Sequence, residues 1–374
     1  MEAVVNRVEF LKRIKIIEKA ISENKIKPII SCAYIETKEN KMVFYGTNLE
    51  ITITTFMETE IKEQGKIVFQ HHIVEEYLKE LKDEMITLKA SENILTIETE
   101  ESATEFSLMN SEEFPRNYMN TELEKEGVNL KINTELLVEA FEKTKFAASQ
   151  NTDDMRINCI RIEGAENNIK FVGTDTYRLV YFEREIDVLK EFKVSLPLNT
   201  ADALIKLLKT SGSEDLEVSV TDRNIKFELS NLLVTSRIVD LSFPDYQGIF
   251  NQLSYDKTLK IQTRSFLNML KRVIIFVRQN SESKNGAIYE LDENKILITG
   301  SNEIAKINEE AIVDYQGEKI KISLNTKFLI DFLQNLNSEK NLIVEFINQN
   351  GSVKIVEENE NKYIYIVMPL SLKS

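Results

Sequence analysis

The sequence has few of the residues that catalysis or metal binding requires. Its 374 residues include two histidines, two cysteines and no tryptophan. His71 and His72 are adjacent, so their side chains point apart, and neither has a cysteine or carboxylate partner at ligand spacing. The chain also lacks a Walker-type phosphate loop and a G-x-G-x-x-G motif. These absences predict a protein with no catalytic residue, no metal site and no cofactor.

Other features that the sequence lacks bear on where the protein resides in the cell and on whether it contains disordered segments. Only 5 prolines and 11 glycines are present, which argues against a long disordered linker. No apolar run approaches the roughly 20 residues that span a bilayer, and the first residues do not form a secretory signal, so we expect no membrane partner. Cys32 and Cys159 have no metal-binding spacing. We therefore expect a cytoplasmic protein with reduced thiols.

Positive charge is also in deficit, because the formal net charge is −14. Taken alone, this argues against nucleic acid as a partner, since binding to phosphates needs positive charge. A net charge averages over the whole surface, however, and a local basic stripe can override it. The distribution of lysine and arginine therefore matters more than their total.

A short motif occurs three times at equal spacing. A β-rich run leads into Gly46-Thr47-Asn48, Gly173-Thr174-Asp175 and Gly300-Ser301-Asn302, and the glycines are 127 residues apart each time (173 − 46 and 300 − 173). Such triplets are ordinary turn sequences, but equal spacing indicates repeated units of domain size. A second marker recurs with an offset of 126, in the amphipathic pairs Leu78/Leu81, Leu204/Leu207 and Ile330/Leu333.

The markers predict three tandem copies of one domain, over residues 1–127, 128–254 and 255–374. Within each copy, the periodicity predicts two helices and about eight mostly antiparallel strands, which is an α+β fold. In the first copy, Phe10, Ile14, Ile17 and Ile21 share one face of a helix predicted over residues 8–23.

Two of the three leading helices carry basic residues on the face away from the core. These are Lys12, Lys15 and Lys19 in the first copy, and Arg264, Lys271 and Arg278 in the third. The leading helix of the second copy mixes lysine with glutamate. For a single helix, a solvated surface face is the better explanation, but the recurrence makes a shared anionic partner an equally good one.

With these features, the chain resembles the bacterial DNA polymerase III β subunit, the replicative sliding clamp. The resemblance covers the whole length and includes the motifs Gly173–Leu179, Ser242–Tyr246 and Tyr365–Leu370. It implies the DNA clamp fold and a head-to-tail homodimer closed into a ring around duplex DNA. Twelve helices about 10 Å apart would enclose a hole of roughly 28 Å, wider than a duplex of about 20 Å. The six basic residues would then face DNA without reading its sequence.

The resemblance also implies a peptide-binding pocket between the second and third copies. It would accept peptides from DNA polymerases, the clamp loader and repair proteins. By match to the family, its residues are Cys159, Thr174, Thr176, Tyr177, Arg178, Leu179, Pro244, Ile249, Phe328, Ser352, Val367, Met368, Pro369 and Leu370. The family usually has a small residue followed by histidine where Thr176 and Tyr177 stand, so the peptide preference differs or the groove is reshaped.

Two other readings compete with a replicative clamp. A divergent paralogue with an accessory role is consistent with the unusual Thr176-Tyr177 pair. An α+β enzyme built from three repeats is the other reading, although the sequence offers no catalytic constellation. The mass of the assembly distinguishes a dimeric clamp from a monomeric enzyme.

Overall fold

The structure is a computed structural model that describes residues 1–115, 127–209, 212–252, 254–280 and 283–371, with backbone only at 251 and 252. Its helices are α1 (Arg7–Ile17), α2 (His71–Glu80), α3 (Thr134–Lys145), α4 (Leu198–Leu208), α5 (Tyr246–Gln252), α6 (Thr263–Val277) and α7 (Thr326–Leu333). Single 3-10 turns lie at Glu18–Ala20, Pro28–Ser31 and Ser111–Glu113.

The strands follow the three sequence copies. The first copy contains β1 (Glu2–Asn6), β2 (Cys32–Lys38), β3 (Lys41–Thr47), β4 (Ile51–Glu58), β5 (Glu60–Glu63), β6 (Lys66–Gln70), β7 (Met85–Ser91), β8 (Ile94–Glu98) and β9 (Ala103–Ser107). The second contains β10 (Val128–Asn133), β11 (Cys159–Ala165), β12 (Asn168–Thr174), β13 (Arg178–Glu185), β14 (Phe192–Pro197), β15 (Asp215–Val220), β16 (Asn224–Leu229) and β17 (Leu232–Arg237). The third contains β18 (Lys257–Gln262), β19 (Gly286–Asp292), β20 (Lys295–Ser301), β21 (Lys306–Ile312), β22 (Asp314–Gln316), β23 (Ile320–Asn325), β24 (Asn341–Phe346), β25 (Val353–Glu357) and β26 (Tyr363–Val367).

The chain forms two compact units, and the middle sequence copy is divided between them. The first unit comprises residues 1–138 and 199–238, with one sheet in the order β5-β1-β7-β8-β9 and another in the order β10-β15-β16-β17-β4-β3-β2-β6. The second comprises residues 139–198 and 239–374, with sheets in the orders β14-β11-β12-β13-β26-β25-β24-β18-β22 and β21-β20-β19-β23. Within these sheets, every pairing among the described strands is antiparallel.

Two strand pairs join neighbouring sequence copies into continuous sheets. In the first unit, β17 pairs with β4 through five residue pairs, from Leu232↔Thr55 to Ser236↔Ile51. In the second, β13 pairs with β26, from Arg178↔Val367 to Phe182↔Tyr363. Backbone hydrogen bonding therefore links the copies, and edge strands that isolated copies would expose are paired inside the chain.

The predicted helices are present with adjusted ends. Asn6 caps α1 by accepting from the amides of Val8 and Glu9, and Asn325 caps α7 in the same way. The prediction of one helix over residues 8–23 was too long, because the α-helix ends at Ile17 and one 3-10 turn follows. The second copy also has a third helix, α5, which the prediction of two helices per copy omitted.

The repeated glycine is a point of close packing between helix and strand. A Cβ at Gly46 would lie 2.5 Å from the Ile17 carbonyl oxygen, and one at Gly173 would lie 2.5 Å from the Thr144 carbonyl oxygen. At Gly300, the nearest atom would be a methyl carbon of Val277 at 2.7 Å. The last turn of each leading helix thus packs on the strand where a side chain would not fit.

The residue two positions after each glycine forms the turn. Oδ1 of Asn48, Asp175 and Asn302 each accepts hydrogen bonds from the amides two and three residues ahead, at 2.9 to 3.0 Å. A short carboxylate or amide side chain is needed for this turn, so the motif repeats for a structural reason. In the second copy, this turn leads directly into β13, where the resemblance predicted peptide binding.

Candidate DNA and peptide interfaces

The turn at Asp175 holds its next residue in an unusual conformation. Thr176 has φ of 75°, in the left-handed region that β-branched residues rarely adopt. Its amide donates to Oγ1 of Thr174 at 3.1 Å, and that hydroxyl donates to the Arg178 carbonyl at 2.7 Å. These bonds fix the loop so that Tyr177 projects outward, with 65% of its surface exposed.

Arg178 anchors this loop to α7. Its guanidinium donates to Asp175 Oδ2 and Asp331 Oδ2, both at 2.9 Å, and lies 4.1 Å from the centroid of the Phe328 ring. The side chain is only 10% exposed, and both carboxylates are also mostly buried. The two carboxylates balance the charge of the guanidinium and accept its hydrogen bonds. Arg178 therefore holds in place the loop that would form one wall of the predicted pocket.

The C-terminal run lies beside the loop. After β26, the Met368 amide donates to the Tyr177 carbonyl at 2.8 Å, and the Leu370 amide donates to the Ser323 carbonyl at 2.8 Å. The run therefore bonds first to the loop and then to β23. The Met368 side chain is 43% exposed next to Tyr177, so two large apolar groups share this surface.

An aromatic cluster supports the same region. Val172, Leu179, Tyr246 and Ile366 are buried together, with Tyr181, Phe243, Phe250 and Ile364 packed around them. The Tyr246 hydroxyl donates to Glu163 Oε2 at 3.0 Å, which fixes the start of α5. Helix α5 then presents Ile249, which is 38% exposed.

The predicted pocket residues therefore differ in how far they are exposed to solvent. Thr176, Tyr177, Ile249 and Met368 are exposed, whereas Arg178, Pro244, Phe328, Pro369 and Leu370 are half-buried. The remaining members, Cys159, Thr174, Leu179, Ser352 and Val367, are buried. Burial raises the pKa of the Cys159 thiol to about 11, so this cysteine is a neutral core residue at physiological pH.

Three of the predicted DNA-facing residues lie together on α1 and the following turn. Lys12, Lys15 and Lys19 are exposed, and they line one open groove with residues of α4 and β17. The groove also receives Lys206 from α4, which the sequence analysis did not include. Among the described residues that line this groove, Glu214 is the only acidic one. In the sequence, Lys206 lies within the repeated Leu204/Leu207 marker. Its place in that amphipathic segment was the feature that could have identified it as a basic residue of the groove.

The other three predicted residues lie along α6. Arg264, Lys271 and Arg278 are all exposed, and heptad spacing places them on one face. Arg264 forms an ion pair with Glu339, which offsets part of its charge. Among the described residues, Lys271 and Arg278 form no ion pair. The neighbouring Arg272 faces elsewhere and binds Glu309 at 2.6 Å.

One expectation about the histidines was wrong. His71 is buried, and a ring nitrogen lies with carboxylate oxygens of Glu18 and Glu75 so that all three ligand atoms are within 4.8 Å of one another. Glu75 is four residues ahead on α2, a spacing that places it on the same helix face as His71. Glu18 comes from the distant 3-10 turn and could not be paired with His71 by local spacing.

Comparison with known proteins identifies the family. Models of the N-terminal, central and C-terminal domains of the DNA polymerase III beta subunit match residues 1–119, 131–245 and 253–371. The chain belongs to the DNA polymerase III beta subunit family. The resemblance and the three-copy clamp fold predicted from sequence are confirmed. Like the family, the chain is a sliding clamp, a non-catalytic processivity factor.

The relatives are distant in sequence and similar along the whole length. A beta sliding clamp of Halalkalibacterium halodurans is 26% identical over 356 residues, covering 91% of each chain. A crystal structure of the DNA polymerase III subunit beta of Pseudomonas aeruginosa has a TM-score of 0.92 at 22% identity, covering 99% of this chain and 100% of that one. The Thermotoga maritima β subunit has a TM-score of 0.90 at 24% identity, covering both chains fully.

Proposed function

We propose that two copies of this chain form a head-to-tail ring that encircles duplex DNA and slides without reading its sequence. Family membership and the two exposed basic surfaces, on α1 and α6, support this proposal. The net charge of −14 is consistent with it, because an acidic exterior would repel DNA and concentrate its binding at the basic surfaces. Within each chain, the three repeated domains are proposed to span residues 1–127, 128–254 and 255–374.

Unpaired strand edges support the proposed dimer. Within the described sheets, β9 is one edge of the five-stranded sheet in the first unit, and β21 is one edge of the four-stranded sheet in the second. A head-to-tail contact could join an edge of one copy to a different edge of the other, and closure after two copies would leave neither exposed.

The proposed ring also docks peptides at the surface formed by Tyr177, Met368 and Ile249. These exposed apolar side chains lie within three residues of Leu179, Ile366 and Tyr246, which are buried together. The flexible thioether of Met368 suits a surface that accepts several sequences. Apolar segments of DNA polymerases, the clamp loader and repair proteins are the proposed ligands. The helix segment α5 and the C-terminal run would form opposite walls.

The deciding experiment measures topological retention. The chain is loaded onto nicked circular duplex with a clamp loader and ATP, and the DNA is then cut once with a restriction enzyme. A ring stays on the circle through gel filtration and leaves after linearisation. Retention on the linear product would show ordinary affinity binding, and a solution mass of one 43.3 kDa chain would exclude the dimer.

A further inference from the structure

The strongest feature outside the two interfaces is a mixed cluster in the first unit. Glu18 lies in the 3-10 turn after α1, and His71 and Glu75 lie on the first turns of α2. One ligand atom from each lies within 4.8 Å of the others. One imidazole and two carboxylates form a donor set that suits borderline divalent transition metals such as Zn²⁺.

A second observation points independently to a ligand. His71 is only 5% exposed, and its buried Nε2 has no hydrogen-bond partner among the described residues. An unpartnered buried ring nitrogen carries a desolvation cost that a bound ion would remove.

Each carboxylate of the cluster is paired with a lysine through one oxygen. Lys19 donates to Glu18 Oε2 at 2.9 Å, and Lys79 pairs with Glu75 Oε1 at 2.7 Å. Each lysine therefore takes one oxygen of a carboxylate, and the second oxygen of each can bind a metal. Glu75 is 9% exposed, whereas Glu18 is 39% exposed, so the cluster opens to solvent on the Glu18 side.

We propose that Glu18, His71 and Glu75 bind one divalent transition-metal ion, with water completing the coordination from the Glu18 side. Tetrahedral Zn²⁺ needs ligand atoms about 3.4 Å apart, given bonds of about 2.0–2.2 Å. Ligand atoms within 4.8 Å of one another would move closer together on binding, and Glu18, the most exposed of the three residues, is the least confined. The ion ties the turn after α1 to α2, and so stabilises the helix that carries Lys12 and Lys15.

The test uses tag-free full-length protein, stripped with a chelator and exchanged into chelator-free buffer. Co²⁺ and Zn²⁺ are titrated separately, with Co²⁺ visible absorption reporting coordination and calorimetry reporting stoichiometry. We expect one ion per chain, an intense visible band from a low-symmetry Co²⁺ site, and a melting temperature that rises with metal. His71→Gln and Glu75→Gln should weaken binding by at least ~100-fold, because even residues that only support ligands contribute about 10–100-fold.

The neighbouring residues supply matched controls. His72 and Glu76 are exposed, so His72→Gln and Glu76→Gln should bind metal like the wild type. Melting of every variant in chelator shows whether it folds, and Glu18→Gln gives a third ligand variant on a more exposed residue. A wild type without a saturable site, or binding that survives His71→Gln, overturns the proposal. Loss in His72→Gln instead would place the ion on the surface and overturn it as well.

Discussion

At the scale of single residues, Thr176 has a left-handed backbone conformation, which its β-branched side chain disfavours. Its φ of 75° is matched by Leu49 at the same position of the first copy, where φ is 76°. Both positions follow the residue that forms the turn through its side chain. A left-handed conformation costs an ordinary residue about 1–2 kcal/mol, and glycine avoids that cost.

Thr176→Gly should therefore stabilise the protein. The relief of about 1–2 kcal/mol exceeds the roughly 0.5–1 kcal/mol lost because glycine is more flexible when unfolded, for a net gain of about 0.5–1 kcal/mol. The midpoint of urea unfolding measures the gain. Glu303→Gly is the control, because Glu303 holds the equivalent place in the third copy without a positive φ. An equal gain in the control would show that left-handed strain is not the cause.

Met368 supports a second prediction at this scale. Met368→Ala removes an exposed apolar side chain beside Tyr177 but keeps the backbone bond from the Met368 amide to the Tyr177 carbonyl. Binding of a fluorescent polymerase-derived peptide should weaken by about fivefold or more, since anchors of this kind contribute above about 1 kcal/mol. The dimer mass should not change.

Met85→Ala is the matched control for Met368→Ala. Met85 is 51% exposed on β7, in the first unit, and is not part of the proposed docking surface. Peptide binding equal to the wild type is expected there. Undiminished binding by the Met368 variant would mean that the docking surface lies elsewhere.

At the scale of elements, the repeated glycines show how closely each leading helix packs on its sheet. Gly173→Ala would place a Cβ 2.5 Å from the Thr144 carbonyl oxygen, and neither backbone can move far inside the packed core. We expect a loss of about 1–3 kcal/mol in unfolding free energy, and the same for Gly46→Ala. Thermal and urea unfolding measure both.

Gly248 provides the control for this packing argument. The three atoms nearest a Cβ at Gly248 would all belong to the exposed Asp245 side chain rather than to backbone, and the residue lies in α5, where alanine favours the helix. Gly248→Ala should leave stability unchanged or slightly raised. If Gly173→Ala is equally harmless, the helix does not pack against that strand as described.

The sequence predicted what depends on local pattern. The 127-residue period was visible because the glycine and the turn-forming Asn or Asp are each required by contacts within a copy. Contacts between distant segments have no such signal. The pairing of β4 with β17, the bond from Arg178 to Asp331 and the approach of Glu18 to His71 all join residues far apart in the chain. The pocket residues came from resemblance, and the structure adds the aromatic cluster that supports them.

At the scale of the whole molecule, a strongly acidic chain carries a row of exposed basic side chains on each of two helices, α1 and α6. The proposed ring uses this arrangement to retain DNA by topology, so each lysine contributes to a weak and salt-sensitive interaction. Each phosphate contact adds about 0.9 to the slope of log affinity against log salt. The number of contacting lysines can therefore be read from a salt titration, separately from any change in net charge.

Replacing Lys12, Lys15 and Lys19 with glutamine should shorten retention on circular DNA and flatten its salt dependence, by up to about 3 in slope. The control replaces Lys25, Lys27 and Lys66, which are exposed in the same unit outside the groove lined by α1 and α4. Both triple variants lower the net charge equally, so a difference between them isolates position from total charge. Equal effects would show that the groove on α1 has no specific role, and the DNA-facing surface would have to be sought on other elements.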